Sequence, residues 1–260
     1  MKRLTSDKIK KELVERLKTR EIENKILLLS KEPSPEVSYY KDAIIKRCKE
    51  FSIDFIDEEF DREGQDEILS FINSFDKSDG YIILSPFGGD KNLGLLKKEI
   101  KLKDLDSFTY RNLALSLEGD IRGLPATARA IATFIEDKFK ALKGKNITIA
   151  NRSNIIGKPL AAYLMTKGAT VSVLNSSTKN PKDFIKNSDI FISAIGKANF
   201  YDESYFKDGM CLLDVGTSYV DGKLVGDIDY SSLENLEVEV LTNKKGIGAI
   251  TTLCLLNGLI

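Results

Sequence analysis

Histidine is absent from all 260 residues. That absence excludes Ser-His-Asp and Cys-His catalysis and the usual histidine-based metal sets, so no metal is expected. Any group that moves a proton must then be Lys, Tyr, Asp, Glu or Cys. Cysteine is scarce as well: Cys48, Cys211 and Cys254 are odd in number and widely scattered. Such a set argues against a disulfide framework or a cysteine zinc site, and for a reducing compartment. Neither sign of charge prevails. With 39 basic and 39 acidic residues the formal net charge is zero, so no global field selects nucleic acid or an anionic membrane. No apolar run reaches spanning length, and the basic start "MKRLTSDKIKKEL" lacks the apolar core of a signal peptide. A cytoplasmic protein is expected. Internal repeats, low-complexity segments and a Gly-x-Gly-x-x-Gly motif are also missing.

What is present is alternation. At 42% hydrophobic and 30% charged the chain has an ordinary globular composition, with length for one large domain or two modest ones. "TSDKIKKELVERLKTREI" repeats apolar residues at helical spacing, and "NKILLLS" reads as a short buried strand. "SPEVSYYKDAIIKRCKEF" predicts a helix with Ser34 as N-cap, Pro35 at N1 and Glu36 in the first turn. Strands "SIDFIDEEF" and "GYIILSP" flank the helical "GQDEILSFINSF", and "PATARAIATFIEDKFKAL" is a long helix leading out of this half. The second half gives strands "KNITIA", "ATVSVLN", "DIFISAIG" and "MCLLDVG", with helix "KPLAAYLMTKG" closed by Gly168. Repeated β-α-β with apolar strands implies α/β architecture with parallel sheets covered on both faces. The expected layout is an α/β unit from 1–125 plus 246–260, whose last helix packs back on it, and a Rossmann-like unit over 126–245.

One corner carries a chemical question. "IANRSNIIGKPLAAYL" (149–164) joins a strand to a helix with a single glycine, Gly157. A helix N-terminus presents unpaired N–H groups and partial positive charge, which suits a phosphate. Gly157 lets backbone and ligand approach, and Asn151 is tolerable where φ must be positive. Arg152 and Ser153 add a guanidinium and a hydroxyl. Locally, a well-capped helix with Arg152 in solvent explains the same residues. The next strand tips the balance. An NAD site places a carboxylate at its end, whereas here the sequence is Asn175, Ser176, Ser177, Thr178, Lys179. Hydroxyls and cations there point to the 2′-phosphate of NADP.

"NRSNIIGKPLAAYLMTKGATVSVLNSST", "SDIFISAIGK" and "LLDVGTSYVDGKLVGDIDY", with the weaker "KDLDSF" and "PATARAIATFI", resemble the bifunctional methylenetetrahydrofolate dehydrogenase/cyclohydrolase family. The resemblance covers nearly the whole chain. It implies two α/β domains, usually a homodimer, with NADP on the second domain and a folate in the cleft between them. It assigns the coenzyme to Arg152, Ser153, Ser176 and Thr217, with Asn151 where glycine is usual. It assigns the substrate to Tyr40, Asp106, Thr127, Gly246 and Thr251, Asp106 binding the pterin. A carboxylate suits a pterin's amino and ring N–H groups.

Besides Asn151, the sequence departs from the family at Ala126, where a cysteine is usual, at Lys244 and Lys245, where small or cyclic residues are usual, and at two further positions. The family's folate helix has a lysine four residues after the tyrosine, and a glutamine ends the "GYIILSPF" strand. Those positions are Ile44 and Leu84 here. Lys46 lies about 200° around the helix from Ile44 and Lys41 about 100° from Tyr40, so neither replaces the lysine. Val37, Tyr40, Ile44, Cys48 and Phe51 form an apolar stripe that a core-facing helix explains equally well. Hydride transfer depends on ring positioning, for which Tyr40, Asp106 and an NADP turn suffice. Adding water to the methenyl carbon needs acid–base help. The expectation is an NADP-dependent methylenetetrahydrofolate dehydrogenase with weak or absent cyclohydrolase activity. Two alternatives stay open: a non-catalytic binder of NADP or a folate-like ligand, and an NADP enzyme acting on another ring that an Ile44/Leu84 pocket would suit.

Overall fold

The protein is described from a computed structural model covering residues 1–88 and 92–260. The chain opens with β1 (Lys2–Leu4) and α1 (Asp7–Lys18), then alternates through β2 (Ile26–Lys31), α2 (Pro35–Glu50), β3 (Phe55–Phe60), α3 (Gln65–Ile72) and β4 (Gly80–Ile83). Next come α4 (Gly94–Glu99), β5 (Lys103–Asp104), α5 (Tyr110–Leu117) and the long α6 (Ala126–Phe139). The second half holds β6 (Asn146–Ala150), α7 (Gly157–Thr166), β7 (Thr170–Leu174), α8 (Pro181–Lys186), β8 (Ile190–Ser193) and β9 (Cys211–Asp214). A hairpin of β10 (Ser218–Val220) and β11 (Lys223–Val225) follows, then β12 (Glu239–Leu241) and α9 (Gly248–Leu256).

Two parallel sheets result. The first runs β3-β2-β4-β5, and the second runs β1-β12-β9-β8-β6-β7. Strands β2, β4, β8 and β9 read as continuous apolar runs because helices cover both of their faces. In the second sheet the chain goes from β6 to β7 on one side, then to β8 and β9 on the other. The strand order therefore reverses between β6 and β8, and the crevice beyond their carboxyl ends is where such sheets hold ligands.

Ser34 caps α2 as the sequence predicts, its hydroxyl accepting from the Val37 N–H at 3.4 Å. Helix α9 packs against α1, α2 and α6, as expected of the last segment. One expectation is corrected: β1 lies not in the first sheet but at the edge of the second, in register with β12. Lys2 holds it there through Glu239 at 2.8 Å. Among the described residues no helix is long and apolar enough to cross a membrane.

The main core joins the two sheets. Alanines 126, 128, 130 and 132 keep α6 slim, so α7 and α9 pack closely along it. Ile44 (0% exposed) and Leu84 (2%) belong to this core. Removing the Ile44 side chain beyond Cβ is therefore expected to cost about 2–5 kcal/mol, the range for large-to-small changes in a packed core. Denaturant unfolding of Ile44→Ala measures it, and a loss well under about 1 kcal/mol would place Ile44 in an open cleft instead.

Candidate functional site

Ala150 pairs with Leu174 on one side and Ser193 on the other, so residues 151–153, 175–178 and 194–197 leave the sheet side by side. Asn151 stands at the centre. Its Oδ1 accepts from the Ser153 N–H at 2.8 Å, the Ser153 hydroxyl at 2.7 Å and the Gly157 N–H at 3.2 Å. Its Nδ2 donates to the Ala194 carbonyl at 2.7 Å. Asn151 is not among the residues with positive φ, so its value here lies in the side chain and not in a left-handed backbone. Gly157 is required sterically: a Cβ there would lie 1.7 Å from the Asn151 carbonyl oxygen. The Ser153 hydroxyl also accepts from the Ile156 N–H at 3.1 Å, which completes the cap of α7.

Arg152 is exposed and, among the described residues, meets no carboxylate and makes no hydrogen bond. Across from it Asn175 organises the end of β7. Its Oδ1 accepts from the Ser177 N–H at 2.9 Å, while its own N–H donates to the Thr178 hydroxyl at 2.9 Å. Ser176 and Lys179 are left exposed. Thr217 is exposed where the chain leaves β9, its carbonyl 3.8 Å from where a Gly196 Cβ would stand.

Two buried carboxylates hold the far wall of this crevice. Asp227 accepts from the Ser193 hydroxyl at 2.6 Å and from the N–H groups of Ile195 and Lys197, both at 2.8 Å. Asp214, at the end of β9, accepts from the N–H groups of Asp227 (2.9 Å) and Ile228 (3.1 Å) and from the Tyr230 hydroxyl (2.6 Å). Gly216 and Gly226 have no room for side chains, since a Cβ on either would sit 2.0 Å from a carboxylate oxygen. Burial pushes the Asp214 carboxyl up to about 6, against the pull of Tyr230 and the two amides.

On the other side of α6, Tyr40, Asp106, Arg129 and Cys254 come together. The loop from β5 winds around Asp104, which accepts from the Phe108 and Thr109 N–H groups and from the Thr109 hydroxyl. This sets Asp106 against the start of α6, where its Oδ1 accepts from the Ala126 N–H at 2.6 Å. The expected loop carboxylate is thus also a helix cap, supplied from another segment because Pro125 has no capping side chain. Desolvation raises the Asp106 carboxyl to about 6, opposed by that N–H and by Arg129. The Arg129 guanidinium donates to the carbonyls of Cys254, Leu105, Arg122 and Leu124. Burial, then Asp106 and Cys254, push the Tyr40 phenol upward. Burial also lifts the Cys254 thiol to about 11.

The remaining positions expected on the substrate side differ in character. Ile44 and Leu84 are core residues. Thr127 is half-buried in the first turn of α6. The Thr251 hydroxyl donates to the Ile247 carbonyl at 3.0 Å, one turn back in its own helix. The Gly246 carbonyl accepts from the Ser6 hydroxyl at 2.9 Å, fixing the approach to α9. Lys41 is buried and paired with Asp57 at 2.9 Å and Glu59 at 3.7 Å, so its ammonium faces β3.

Sequence reasoning missed Arg129, Cys254, Asp214, Asp227 and Tyr230. For Arg129 a signal existed: it is the lone charged residue in the stretch "ATARAIATFI". For the carboxylates, the tight "DVG" and "VGD" pairings of aspartate with glycine were the trace.

Residues 125–260 match the profile of the tetrahydrofolate dehydrogenase/cyclohydrolase NAD(P)-binding domain. The bifunctional protein FolD of Clostridium botulinum is 31% identical over 263 residues, covering 97% of this chain and 93% of its own. Among solved structures, the bifunctional FolD methylenetetrahydrofolate dehydrogenase/cyclohydrolase of Campylobacter jejuni superposes with a TM-score of 0.86 at 30% identity, covering 98% of this chain and 94% of its own. The Trypanosoma brucei methylenetetrahydrofolate dehydrogenase-cyclohydrolase, solved with NADP and an inhibitor, shares the fold at 21% identity. Its TM-score is 0.83, and the match covers 98% of this chain and 93% of the trypanosomal one.

Asp214 generates a pH prediction. Its folded value of about 6 lies above the ordinary 3.8, so protonation favours the folded state. Its contribution is present below about pH 3.8 and is lost as pH rises through about 6. Asp214→Asn removes this titration. The melting temperature of the variant relative to wild type is expected to rise from pH 4 to 7, by on the order of 1–3 kcal/mol in stability. Thermal melts across that range check it, and a difference independent of pH contradicts it.

Proposed function

Because the chain belongs to the tetrahydrofolate dehydrogenase/cyclohydrolase family, we propose that it oxidises 5,10-methylenetetrahydrofolate to 5,10-methenyltetrahydrofolate with NADP, and that its cyclohydrolase activity is weak or absent. The observation that carries this reading is a contrast. Asp106 and Tyr40 stand beside one another at the start of α6, while Ile44 and Leu84, at the positions the resemblance gives to the family's lysine and glutamine, are sealed in the core.

The residues present suit NADP on the second sheet. Arg152 is a guanidinium with no carboxylate to neutralise it, and Ser176 and Lys179 face solvent at the end of the neighbouring strand. Such a set suits a 2′-phosphate, and no acidic side chain occupies 175–179 to select an unphosphorylated ribose. Bound there, the coenzyme supplies the hydride acceptor. Asp227 and Asp214 hold the loop after β8 as the opposite wall, with Thr217 at its lip. Residues 126–245 thus serve the coenzyme, while 1–125 and 246–260, apart from β1, serve the folate. A homodimer belongs to the same proposal.

On the folate side Asp106 keeps Oδ2 for the pterin's amino and ring N–H groups while Oδ1 holds α6. The Tyr40 ring offers a stacking face, with Thr127, Gly246 and Thr251 around the cleft. Hydride transfer asks these groups only to hold the substrate in a near-attack geometry. Hydration of the methenyl carbon asks for a base to take a proton from water. Lys41 is committed to Asp57, the Cys254 thiol titrates at about 11, and Arg129 is held by four carbonyls. Loss of general acid–base help lowers a rate by about 10²–10⁴.

Purified protein is expected to form NADPH from methylenetetrahydrofolate and NADP, and to hydrolyse methenyltetrahydrofolate about 10²–10⁴ more slowly than its bifunctional relatives. Hydrolysis at their rate would refute the division of activities. NADP binding without turnover would favour a non-catalytic binder. Asp106→Ala is expected to raise KM for the folate by about tenfold or more while NADP affinity holds, since one charge-assisted contact is lost. With Asp106 titrating near 6, wild-type folate affinity should fall as pH drops from 7 to 5.

A further inference from the structure

The crevice between β6 and β8 is crossed by a side chain of the protein itself. Asn151 leaves β6 and donates through Nδ2 to the Ala194 carbonyl beyond β8, 2.7 Å away. On the same amide group, Oδ1 accepts from the main-chain N–H groups of Ser153 and Gly157 and from the Ser153 hydroxyl. The Gly157 amide opens α7 and the Ser153 amide lies in the turn leading into it, a region whose partial positive charge suits a phosphate oxygen. Among the described residues the Asn154 and Ile155 N–H groups carry no protein acceptor. The turn therefore has four amides of interest, and a neutral side-chain oxygen already occupies two of them.

We propose that Asn151 is an internal competitor for the coenzyme's pyrophosphate, so that NADP must displace its side chain to gain the Ser153 and Gly157 amides. The inference rests on the NADP reading above and adds a residue that sets affinity. Three physical points support it. The backbone at Asn151 has ordinary negative φ, so its side chain, not its conformation, is what the position uses. The acceptor it presents is of the same kind as a phosphate oxygen and bonds the same donors, so the two cannot be seated together. The bond to Ala194 also ties the two walls of the crevice, so displacement frees the loop after β8 as well as the turn. Arg152 lies outside this competition. It is exposed and unpaired, so a 2′-phosphate can engage it while Asn151 is still in place.

The test is calorimetric titration of wild type, Asn151→Ala and Asn151→Asp with NADP and, separately, with adenosine 2′-monophosphate, which carries the 2′-phosphate but no pyrophosphate. Asn151→Ala removes the competitor without backbone strain. It is expected to tighten NADP by about tenfold, the worth of one recovered hydrogen bond, and to leave adenosine 2′-monophosphate within about twofold of wild type. Asn151→Asp keeps an acceptor on the amides and adds a negative charge. It is expected to weaken NADP by about tenfold or more. Equal or weaker NADP binding by Asn151→Ala, with the monophosphate still bound, overturns the inference and leaves the NADP reading standing. Failure of all three proteins to bind NADP overturns both.

Discussion

Asp106 Oδ1 accepts the first N–H of α6 at 2.6 Å, and three residues further along Arg129 gives its guanidinium to carbonyls from the β5 loop, the segment before α6 and α9. This arrangement anchors the start of a helix with little polar character. The opposite charges sit close enough that Arg129 offsets part of the desolvation of Asp106. Because α6 is lined with alanine, it can lie between the sheets and let α9 and α7 approach. Both candidate sites hang from that one helix. Its first turn holds Asp106, the carboxylate proposed for a pterin, and its far end leads into β6 and the Asn151 turn.

The chemical character of the folate side follows from what the same core encloses. A lysine ammonium at position 44 would sit among Leu28, Cys48 and their neighbours, where an unpaired charge is costly. The isoleucine is compatible with that environment, and so is Leu84. The nearest buried ammonium, Lys41, is instead satisfied by two carboxylates of β3 on another face of α2. The titratable groups that act on Tyr40 are Asp106 and Cys254 instead. Under the proposed function, oriented rings suffice for hydride transfer, and the missing lysine is what weakens the hydration step.

Much of this was legible in residue patterns. The buried strands announced themselves as unbroken aliphatic runs, and Ser34-Pro35-Glu36 marked the start of α2 correctly. The turn after β6 was recognised as special, but the reason given for Asn151 was conformational, because an asparagine suits positive φ as readily as it suits a side-chain cap. Sequence does not separate these two uses, whereas the pattern of four hydrogen bonds does. The three residues of β1 carry no periodicity long enough to assign a sheet, and their place beside β12 depends on a partner more than 230 residues away. Asp214 and Asp227 were invisible as core residues because a charged side chain reads by default as solvated. Only the glycines facing them, at 216 and 226, hinted that something filled the space where side chains belong.

A crystal structure of the protein with NADP and a non-reactive folate analogue, both at millimolar concentration, tests the central claim most directly. The account predicts the 2′-phosphate against Arg152 and Ser176, the Asn151 side chain swung away from Ala194, and the nicotinamide directed at a pterin held by Asp106. An empty crevice with Asn151 still bonded to Ala194, or a folate analogue bound away from Asp106 and Tyr40, would contradict it.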